Sequence, residues 1–267
     1  MVSDLWEAGR YAGDDVVDIV TPVYNQLQYT RDCLQSVREY TEIPYRVIVI
    51  DNGSTDETPA FLQECIAAGM PIEVITNARN LGFTLAANQG LRASGGRYVV
   101  SLNNDTTVTA GWLSGLIMTA ESDDSIGIVG PKILNPATGR IHCIGGLVFG
   151  KRGMGPPPGQ GCERDDPAFA QSFDCQYIEG SCMLIKRRVL EAIGHFDEAY
   201  APAYYEDADY CFRAREAGFR LIYSPLSEIY HHSTVTARAV RSENSELDQA
   251  ARRNDCIFRE RWTHRFA

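Results

Sequence analysis

Short apolar runs alternate with amphipathic segments over the first 105 residues. Strand-like runs lie at 16–22, 45–50, 72–76 and 97–102, and helical spacing lies between them at 28–40, 59–68 and 84–93. Strands separated by single helices at this rhythm predict parallel pairing with right-handed crossovers. The pattern therefore predicts an α/β fold that begins with a Rossmann-like half-sheet, with any nucleotide bound along the strand ends.

The pattern is less regular after residue 105. It predicts helices at 112–120, 189–193 and 207–217, a strand at 126–130, a strand pair or ribbon over 141–149, and short extended segments at 221–223 and 227–231. Residues 150–161 are rich in Gly and Pro and cannot form a helix or a central strand. We expect a mobile loop there, serving either as a lid or as an exposed connection.

Length and charge narrow the class of protein. With 267 residues, 44% of them hydrophobic, the chain is long enough for one α/β domain, and we expect a single domain over 1–267 that ends in a helical arm over 241–267. The net charge of -10 argues against binding of nucleic acid through its phosphates. Seven arginines between residues 238 and 265 form a local exception, either a solvated helix face or a contact for an anionic acceptor, a membrane surface or a partner.

The eight cysteines are scattered and form no C-x-x-C pair, which predicts reduced thiols rather than a zinc site or disulfides. The N-terminus lacks the features of a secretory signal, and no apolar run approaches the length that crosses a bilayer. We expect a soluble, cytoplasmic protein with at most peripheral membrane association.

Polar clusters follow several of the apolar runs. The strand at 97–102 stops at Asn103, Asn104 and Asp105, which is either a polar turn or a set of metal ligands at a strand end. Three carboxylates follow at 206–209, and His231 and His232 come after another apolar segment. Carboxylate, amide and imidazole groups suit Mg²⁺ or Mn²⁺ better than a soft metal.

Six motifs occur together in order. They are Thr21-Pro-Val-Tyr-Asn25, Val49-Ile-Asp-Asn-Gly-Ser-Thr-Asp56, the segment 77–90 (N-A-R-N-L-G-F-T-L-A-A-N-Q-G), Leu102-Asn-Asn-Asp105, Tyr205-Glu-Asp-Ala-Asp-Tyr-Cys-Phe-Arg213 and Tyr230-His-His-Ser233. Over roughly residues 16–240 the chain resembles a family 2 glycosyltransferase of the rhamnosyltransferase-like branch. The resemblance implies a GT-A fold, with a mostly parallel central sheet flanked by helices and a smaller mixed acceptor-side region. It places the nucleotide-sugar-binding half at about 16–130 and the acceptor-binding half at about 131–240.

The resemblance also implies a nucleotide site. Its contacts match Pro22, Tyr24, Asn25, Asp51, Asn80, Gly82, Asn88 and Asn104. Asp51 matches the carboxylate that accepts the imide N–H of uracil or thymine, which implies a UDP- or dTDP-sugar. Gly82 permits a close backbone approach at a helix start where free amides face phosphate. Two alternatives stay open: Asp51 as part of an Asx turn, and Asn88 as a polar residue satisfied inside the helix packing.

The metal site implied by the resemblance departs from the family pattern. Asn103 replaces the first aspartate of the D-x-D motif, which removes one charge from the protein's share of the metal site. Asp105 remains the expected direct ligand, with His231 as the second and His232 as the runner-up. An imidazole ligand favours Mn²⁺ over Mg²⁺.

The resemblance places the chemistry at Glu206 and Asp207, with Asp207 as the general base. The alternative is an acidic first turn of a helix, in which Asp209 pairs with Arg213 at the i, i+4 spacing. Glu179, Gly180 and Tyr204 match positions that contact the acceptor or the donor sugar. Trp112, together with Tyr204 or Tyr205, either stacks on a sugar face or belongs to the core.

The predicted function is inverting transfer from a pyrimidine nucleotide-diphosphate sugar to a hydroxyl of a glycan, lipid-linked or protein acceptor, in the cytoplasm or at the inner face of the membrane. The alternative is a catalytically silent module that binds a sugar nucleotide or carbohydrate, which only Asn103 favours. No G-x-G-x-x-G follows the first strand, which argues against an NAD-dependent dehydrogenase. The C-terminal segment 254–262 resembles the ends of transferase modules embedded in larger chains.

Overall fold

Within the described residues, ten strands build one sheet. The computed structural model describes residues 16–148, 155–233 and 246–265. The strands are β1 (Val17–Val23), β2 (Tyr45–Asp51), β3 (Ile72–Thr76), β4 (Tyr98–Leu102), β5 (Thr106–Val108), β6 (Ile126–Leu134), β7 (Ile141–Cys143), β8 (Phe173–Asp174), β9 (Cys182–Lys186) and β10 (Arg220–His231). The helices are α1 (Leu27–Tyr40), α2 (Thr58–Ala67), α3 (Phe83–Ala93), α4 (Trp112–Glu121), α5 (Arg187–Ile193), α6 (Glu206–Glu216) and α7 (Glu246–Trp262).

The sheet has a parallel part and a mixed part. Its order is β3-β2-β1-β4-β9-β6-β10-β5, with β7 beside β6 and β8 beside β10. The first four strands of this order are parallel, as the alternation of strands and helices predicts. β9 runs antiparallel between β4 and β6, whereas β6 and β10 are parallel to each other. The predicted division near residue 130 falls inside β6, and both predicted halves contribute strands to the same sheet.

Side chains of the parallel strands alternate between two hydrophobic cores. On one side, Val20 and Ile48 pack in a cluster with residues of α3, α5, α6 and α7. On the other side, Ile19 and Val47 pack with residues of α1, α2 and α4. Because successive side chains of a strand point to opposite faces, the inner strands β1, β2 and β4 are covered on both faces and are mostly apolar, whereas the edge strand β3 is partly exposed.

The second half differs from the sequence prediction at two strands. The pattern assigned no element to residues 182–186, which form β9, because a short apolar run of this length does not distinguish a strand from a helix. The separate segments predicted at 221–223 and 227–231 are one strand, β10, whose register against β6 shifts between Ser224 and Glu228. This irregularity accommodates Pro225, which has no N–H to donate.

The predicted ribbon at 141–149 is shorter than expected. β7 covers only its first three residues, and Gly146 then forms an isolated bridge with Tyr177. Residues 149–154 lie outside the described part of the chain. The remainder of the predicted loop, 155–161, consists of turns that return to the sheet edge, where the Gly161 N–H donates to the carbonyl of Ile141 at 2.8 Å.

Asp209 joins the C-terminal helix α7 to α6. Its carboxylate is fully buried, and the predicted pair with Arg213 is present, with Nε 2.9 Å from Oδ2. Its other oxygen, Oδ1, accepts hydrogen bonds from Arg261 at 2.8 Å and from the Trp262 indole at 3.0 Å. Tyr200 donates to the same oxygen at 3.2 Å. This buried carboxylate therefore fixes the end of α7 against the body of the protein.

Most described arginines of the C-terminal segment contact groups of the chain itself. The ion pairs are Arg259–Asp255, Arg261–Asp197 and Arg265–Glu216, and Arg253 donates to the carbonyl of Ala201. Arg238 and Arg241 lie outside the described residues. Most described arginines of this segment therefore stabilise the packing of α7 against the rest of the protein.

Replacement of Asp209 by Ala should lower the free energy of unfolding by about 3–5 kcal/mol, because it leaves the partly buried guanidinium of Arg213 without its partner. Urea denaturation measures this difference. Asp124→Ala, at an exposed carboxylate, is the control and should change stability by less than about 0.5 kcal/mol. Equal stability of the two variants would contradict the role assigned to Asp209.

Candidate active site

The carboxyl ends of the parallel strands meet at one edge of the sheet. Val23, the last residue of β1, pairs with Asp51, the last residue of β2, and β4 runs parallel to β1. Loops that follow these strands are therefore neighbours in space, although long stretches of sequence separate them. This edge is where open α/β sheets bind their ligands.

The segment from Asn103 to Asp105 lies between two strands from the second half. The Asn103 N–H donates to the carbonyl of Ser181, just before β9, at 2.9 Å. On the other side β5 pairs with β10, so that His231 stands opposite Thr106, and the His232 N–H donates to the carbonyl of Asp105 at 2.9 Å. The two pairings bring residues 179–181 and 231–233 to the end of β4.

The predicted metal ligands Asp105 and His231 face each other. Nε2 of His231 lies 3.2 Å from Oδ1 of Asp105, and the two residues are only 8% and 6% exposed. Among the described residues, neither this Nε2 nor Oδ1 of Asn103 has a hydrogen-bond partner, although both atoms are buried. Buried polar atoms nearly always have a hydrogen-bond partner. Two such atoms without a partner, beside a carboxylate, therefore fit as ligands of a divalent cation.

His232, the alternative ligand, points elsewhere. Its ring packs edge-on against Tyr29 of α1, with ring centroids 5.1 Å apart. The structure therefore favours His231 as the histidine of the site.

Glu179 contacts the other ring nitrogen of His231. Its Oε1 lies 3.1 Å from Nδ1, and the same oxygen accepts a hydrogen bond from Ser181 at 2.9 Å. Burial would lower the pKa of His231, but the carboxylates of Asp105 and Glu179 raise it to about 10. Burial would likewise raise the pKa of Glu179, but His231 and then His142 lower it to about 2.

His142 belongs to the same cluster, although no sequence motif singles it out. Its Nε2 lies 3.9 Å from Oε2 of Glu179 and 3.3 Å from the Ser233 hydroxyl. Donor atoms of His142, Glu179 and His231 lie within 4.8 Å of one another, a spacing that could hold a metal ion. The cluster arises because β7 lies beside β6, two strands away from β9.

Asp207 is positioned by backbone amides at the start of α6. Its Oδ2 accepts a hydrogen bond from the Gly180 N–H at 2.9 Å, and its Oδ1 accepts one from the Ala208 N–H at 2.8 Å. A Cβ added to Gly180 would lie 3.2 Å from the Cβ of Asp207, so a glycine suits this close approach. Burial raises the pKa of Asp207, and the nearby Glu179 adds to this effect, whereas the two amide hydrogen bonds oppose it.

Glu206 points into the protein rather than toward Gly180. It is 6% exposed, and the Thr84 hydroxyl lies 3.5 Å from its Oε2. Burial, together with the charge of Asp207, raises its pKa to about 8. Glu206 therefore carries a proton near neutral pH.

The backbone before α6 has an unusual conformation. Tyr204 and Tyr205 both have positive φ, 81° and 73°, which costs free energy for residues with large side chains. Asn254 of α7 is fully buried, and its Nδ2 lies 2.6, 2.9 and 3.0 Å from the carbonyl oxygens of Tyr200, Ala203 and Tyr204. One side chain of α7 thus holds the loop that presents Glu206 and Asp207.

Asp51 and Asn25 form a compact polar turn at the ends of β1 and β2. Asp51 accepts a hydrogen bond from the Ser54 N–H at 2.9 Å, so the Asx turn left open by the sequence is present. Asn25 has positive φ, 51°, and its Oδ1 accepts the Thr55 N–H at 2.7 Å. The second oxygen of the Asp51 carboxylate is not used by this turn, so the turn and a contact with a base are compatible.

An amide network follows this turn. Asn52 donates to Asn80 at 2.8 Å and accepts from Asn77 at 3.0 Å and from the Leu81 N–H at 3.0 Å. Asn77 in turn exchanges hydrogen bonds with Gln89 of α3. Asn52 is buried and had no assigned role in the sequence interpretation, although it follows Asp51 directly.

Two predicted nucleotide contacts have packing partners in the protein. A Cβ on Gly82, whose φ is 85°, would lie 2.4 Å from the Cβ of Pro202, so the close approach made here is to a proline. Asn88 is fully buried, donates to the Phe196 carbonyl at 2.9 Å and accepts from the Phe196 N–H at 3.0 Å. Since Glu198 lies 3.3 Å from the same amide nitrogen, both amide hydrogens are used. The structure favours the alternative in which Asn88 is satisfied by packing.

The other predicted residues differ in accessibility. Asn104 is buried and donates to Thr30 of α1 at 3.0 Å, whereas Pro22 is buried in β1 and Tyr24 is half-buried.

Trp112 is fully buried and donates to Thr41, so the core interpretation is correct. Tyr205 donates to Asp255 of α7 and packs against Phe258, while Tyr204 is half-buried. All eight cysteines are free thiols.

The fold is that of a glycosyltransferase with GT-A architecture, and the chain belongs to glycosyl transferase family 2, whose model matches residues 18–194. It is 26% identical, over 82% of its length and 76% of the relative's, to N-acetylglucosaminyl-diphospho-decaprenol L-rhamnosyltransferase of Mycobacterium tuberculosis. It is 27% identical over 96% of its length to an uncharacterized Sinorhizobium fredii protein, y4gI, and spans only 28% of that protein.

Solved glycosyltransferases share the fold. GalNAc-T7, crystallised with UDP, GalNAc and Mn²⁺, superposes with a TM-score of 0.68 at 19% identity, over 81% of this chain and 43% of that one. The mannosyltransferase PcManGT of Pyrobaculum calidifontis, in complex with GDP-Man and Mn²⁺, gives 0.60 at 19% identity, over 86% of this chain and 64% of that one. Within the described residues, no helix has both the length and the apolar character needed to cross a membrane.

Replacement of Glu206 by Gln should make stability less sensitive to pH. The folded protein holds the Glu206 proton up to about pH 8, whereas the unfolded chain releases it near 4.5, so wild-type stability falls as pH rises between these values. Gln preserves the neutral shape and removes this loss. Denaturant unfolding at several pH values measures it, with the exposed Glu64→Gln as the control; curves for wild type and Glu206→Gln that stay parallel would contradict the raised pKa.

Proposed function

We propose that the protein transfers a sugar, with inversion, from a UDP- or dTDP-sugar to an acceptor hydroxyl, with Asp207 as the general base. In this proposal Asp105 and His231 hold a divalent cation, Mn²⁺ or Mg²⁺, with Asn103 beside them. The observation that carries the proposal is the segment 179–181, which touches both parts of the site. Its Glu179 contacts His231, and its Gly180 N–H contacts Asp207.

Asp207 suits the role of base better than Glu206. Asp207 is half-buried and held by amides that leave lone pairs free, whereas Glu206 is buried against Thr84 and carries a proton near neutral pH. A base works best when its pKa is close to the operating pH, and burial moves the pKa of Asp207 in that direction. A protonated Glu206 beside it avoids the repulsion of a second negative charge.

The reaction follows from these positions. The acceptor oxygen attacks the anomeric carbon as the bond from that carbon to the nucleoside diphosphate breaks, and Asp207 takes the proton of the attacking hydroxyl. The bound cation would neutralise the negative charge that develops on the departing diphosphate. Because attack and departure occur on opposite faces of the anomeric carbon, the configuration inverts.

The choice of donor rests on Asp51. Its buried carboxylate lies at the end of β2 and keeps one oxygen outside the Asx turn, as recognition of a uracil or thymine imide requires. UDP in the GalNAc-T7 structure supports this assignment, whereas PcManGT was solved with GDP-Man. The donor would therefore be UDP- or dTDP-linked.

The acceptor would be a glycan or a lipid-linked sugar, as the name of the mycobacterial rhamnosyltransferase suggests. Such an acceptor would place the reaction at the inner face of a membrane, with the protein associated peripherally. In the Sinorhizobium relative, of which this chain covers 28%, the matching region is one part of a longer protein, and a transferase module within a larger chain is consistent with that.

Asp207→Asn should preserve nucleotide binding and reduce transfer by about a hundred- to ten-thousand-fold, because the amide keeps the shape but cannot take a proton. Turnover of UDP- and dTDP-sugars and calorimetric binding of UDP and dTDP measure the two effects. Glu206→Gln serves as the companion variant. Near-full turnover by Asp207→Asn together with loss in Glu206→Gln would move the base to Glu206.

Replacement of Asp105 or His231 by Ala should weaken binding of UDP or dTDP in the presence of Mn²⁺ and leave the metal-free binding nearly unchanged. The Mn²⁺-dependent gain should fall by about 100-fold or more, since loss of a ligand's outer partner alone costs about 10- to 100-fold. His232→Ala is the control, because its ring packs on Tyr29. Turnover that persists in EDTA would contradict a metal-dependent mechanism.

A further inference from the structure

The two ring nitrogens of His231 have different surroundings. Nε2 is buried, has no hydrogen-bond partner among the described residues, and faces Asp105 at 3.2 Å. Nδ1 lies 3.1 Å from the Glu179 carboxylate and 3.3 Å from the Ser233 hydroxyl. An imidazole that binds a cation through one nitrogen keeps its single proton on the other, so these surroundings select which nitrogen faces the cation and which keeps the proton.

We infer that Glu179 is a positioning residue for the metal site: it holds the proton of His231 on Nδ1 and so presents the Nε2 lone pair to a divalent cation shared with Asp105. This inference rests on the proposed function, which places the cation between Asp105 and His231. A histidine that binds a metal commonly donates its other N–H to a carboxylate, which fixes the ring and raises its basicity.

The contacts of Glu179 support this role. Oε1 accepts from Ser181 as well as facing His231, and Oε2 faces His142 at 3.9 Å, so the carboxylate is held from several sides. Ser181 also pairs through its carbonyl with the Asn103 N–H, which ties the position of Glu179 to the end of β4. Glu179 is thus fixed relative to both Asp105 and His231.

The presence of Asn103 at the D-x-D position explains why a carboxylate behind His231 would be useful. Loss of one carboxylate from the D-x-D position removes a negative charge from the protein's share of the metal site. A carboxylate behind the histidine returns part of that charge through the imidazole, because it makes Nε2 a stronger donor. A contact of Glu179 with a sugar hydroxyl, which the sequence suggested, would have to compete with this hydrogen bond.

A second arrangement is possible in the same cluster. A cation held by His142, Glu179 and Nδ1 of His231 would sit on the opposite side of the imidazole from Asp105. The observed surroundings favour the first arrangement, since Nδ1 already has hydrogen-bond partners and Nε2 has none within the described residues. The two arrangements differ in whether they need Asp105.

The experiment measures binding of Mn²⁺ to the intact protein by its free-ion EPR signal, with and without UDP. Glu179→Ala should weaken Mn²⁺ binding by about 10- to 100-fold, and Glu179→Gln should weaken it less, because the amide oxygen still accepts the Nδ1–H but brings no charge. Glu64→Gln, at an exposed position on α2, should bind as wild type does. Thermal denaturation of each metal-free variant checks that the fold is retained.

A second readout reports the tautomer directly. Nitrogen-15 NMR of the imidazole, recorded with diamagnetic Mg²⁺ and UDP, should show the proton of His231 on Nδ1 in wild type and in Glu179→Gln, and a loss of that preference in Glu179→Ala. A purely structural role of Glu179 would not change this signal in a folded variant.

Three outcomes would overturn the inference. Unchanged Mn²⁺ affinity and an unchanged tautomer in folded Glu179→Ala would show that Glu179 does not position His231. Retention of one equivalent of Mn²⁺ by Asp105→Ala, and its loss in His142→Ala, would assign the cation to the opposite side of the ring. Wild-type protein that binds no Mn²⁺ with UDP present would overturn the metal role in the proposed function as well.

Discussion

The end of β4 depends on its pairing with strands from a distant part of the sequence. The Asn103 N–H donates to the carbonyl of Ser181, just before β9, and the carbonyl of Asp105 accepts from the N–H of His232, just after β10. These two backbone hydrogen bonds fix the loop of the predicted D-x-D position from both sides. Without them, neither Glu179 nor His231 would reach the carboxylate of Asp105, and the segment that carries Gly180 would not meet Asp207.

The candidate site also depends on helix α7, near the C-terminus, which holds the loop before Asp207. Tyr204 and Tyr205 have positive φ, which is unfavourable for residues with large side chains. The side-chain nitrogen of Asn254 contacts the carbonyl oxygens of Tyr200, Ala203 and Tyr204 and so holds this loop. Asp209 then fixes α7 through Arg261 and Trp262. The family match ends at residue 194, so the element that holds the loop before Asp207 lies beyond the matched segment.

The sequence predicted the parallel half of the sheet because strands and helices alternate there and its inner strands, β1, β2 and β4, are covered on both faces. It failed at β9, a five-residue apolar run directly before a helix, and at β10, which was predicted as two separate segments but is one strand that continues past Pro225 through a register shift. The strand ends and the type of side chain marked Asp105 and His231 as candidate metal ligands, and the resemblance to a known family added the role of Asp207. These residues come together because β4 pairs with β9 and β5 pairs with β10, and no local sequence pattern predicts these antiparallel pairings.

Residues whose role depends on a neighbour far along the chain were the hardest to interpret. Asn88 resembled a nucleotide contact, but its amide is used by Phe196 and Glu198, more than a hundred residues later. His142 carried no motif, yet it lies beside Glu179 because β7 joins the same sheet. Glu179 itself resembled a sugar contact, and only the distance to Nδ1 of His231 links it to the metal site. A motif identifies which atoms can react, whereas the sheet pairings decide which of them share a proton, a charge or a cation.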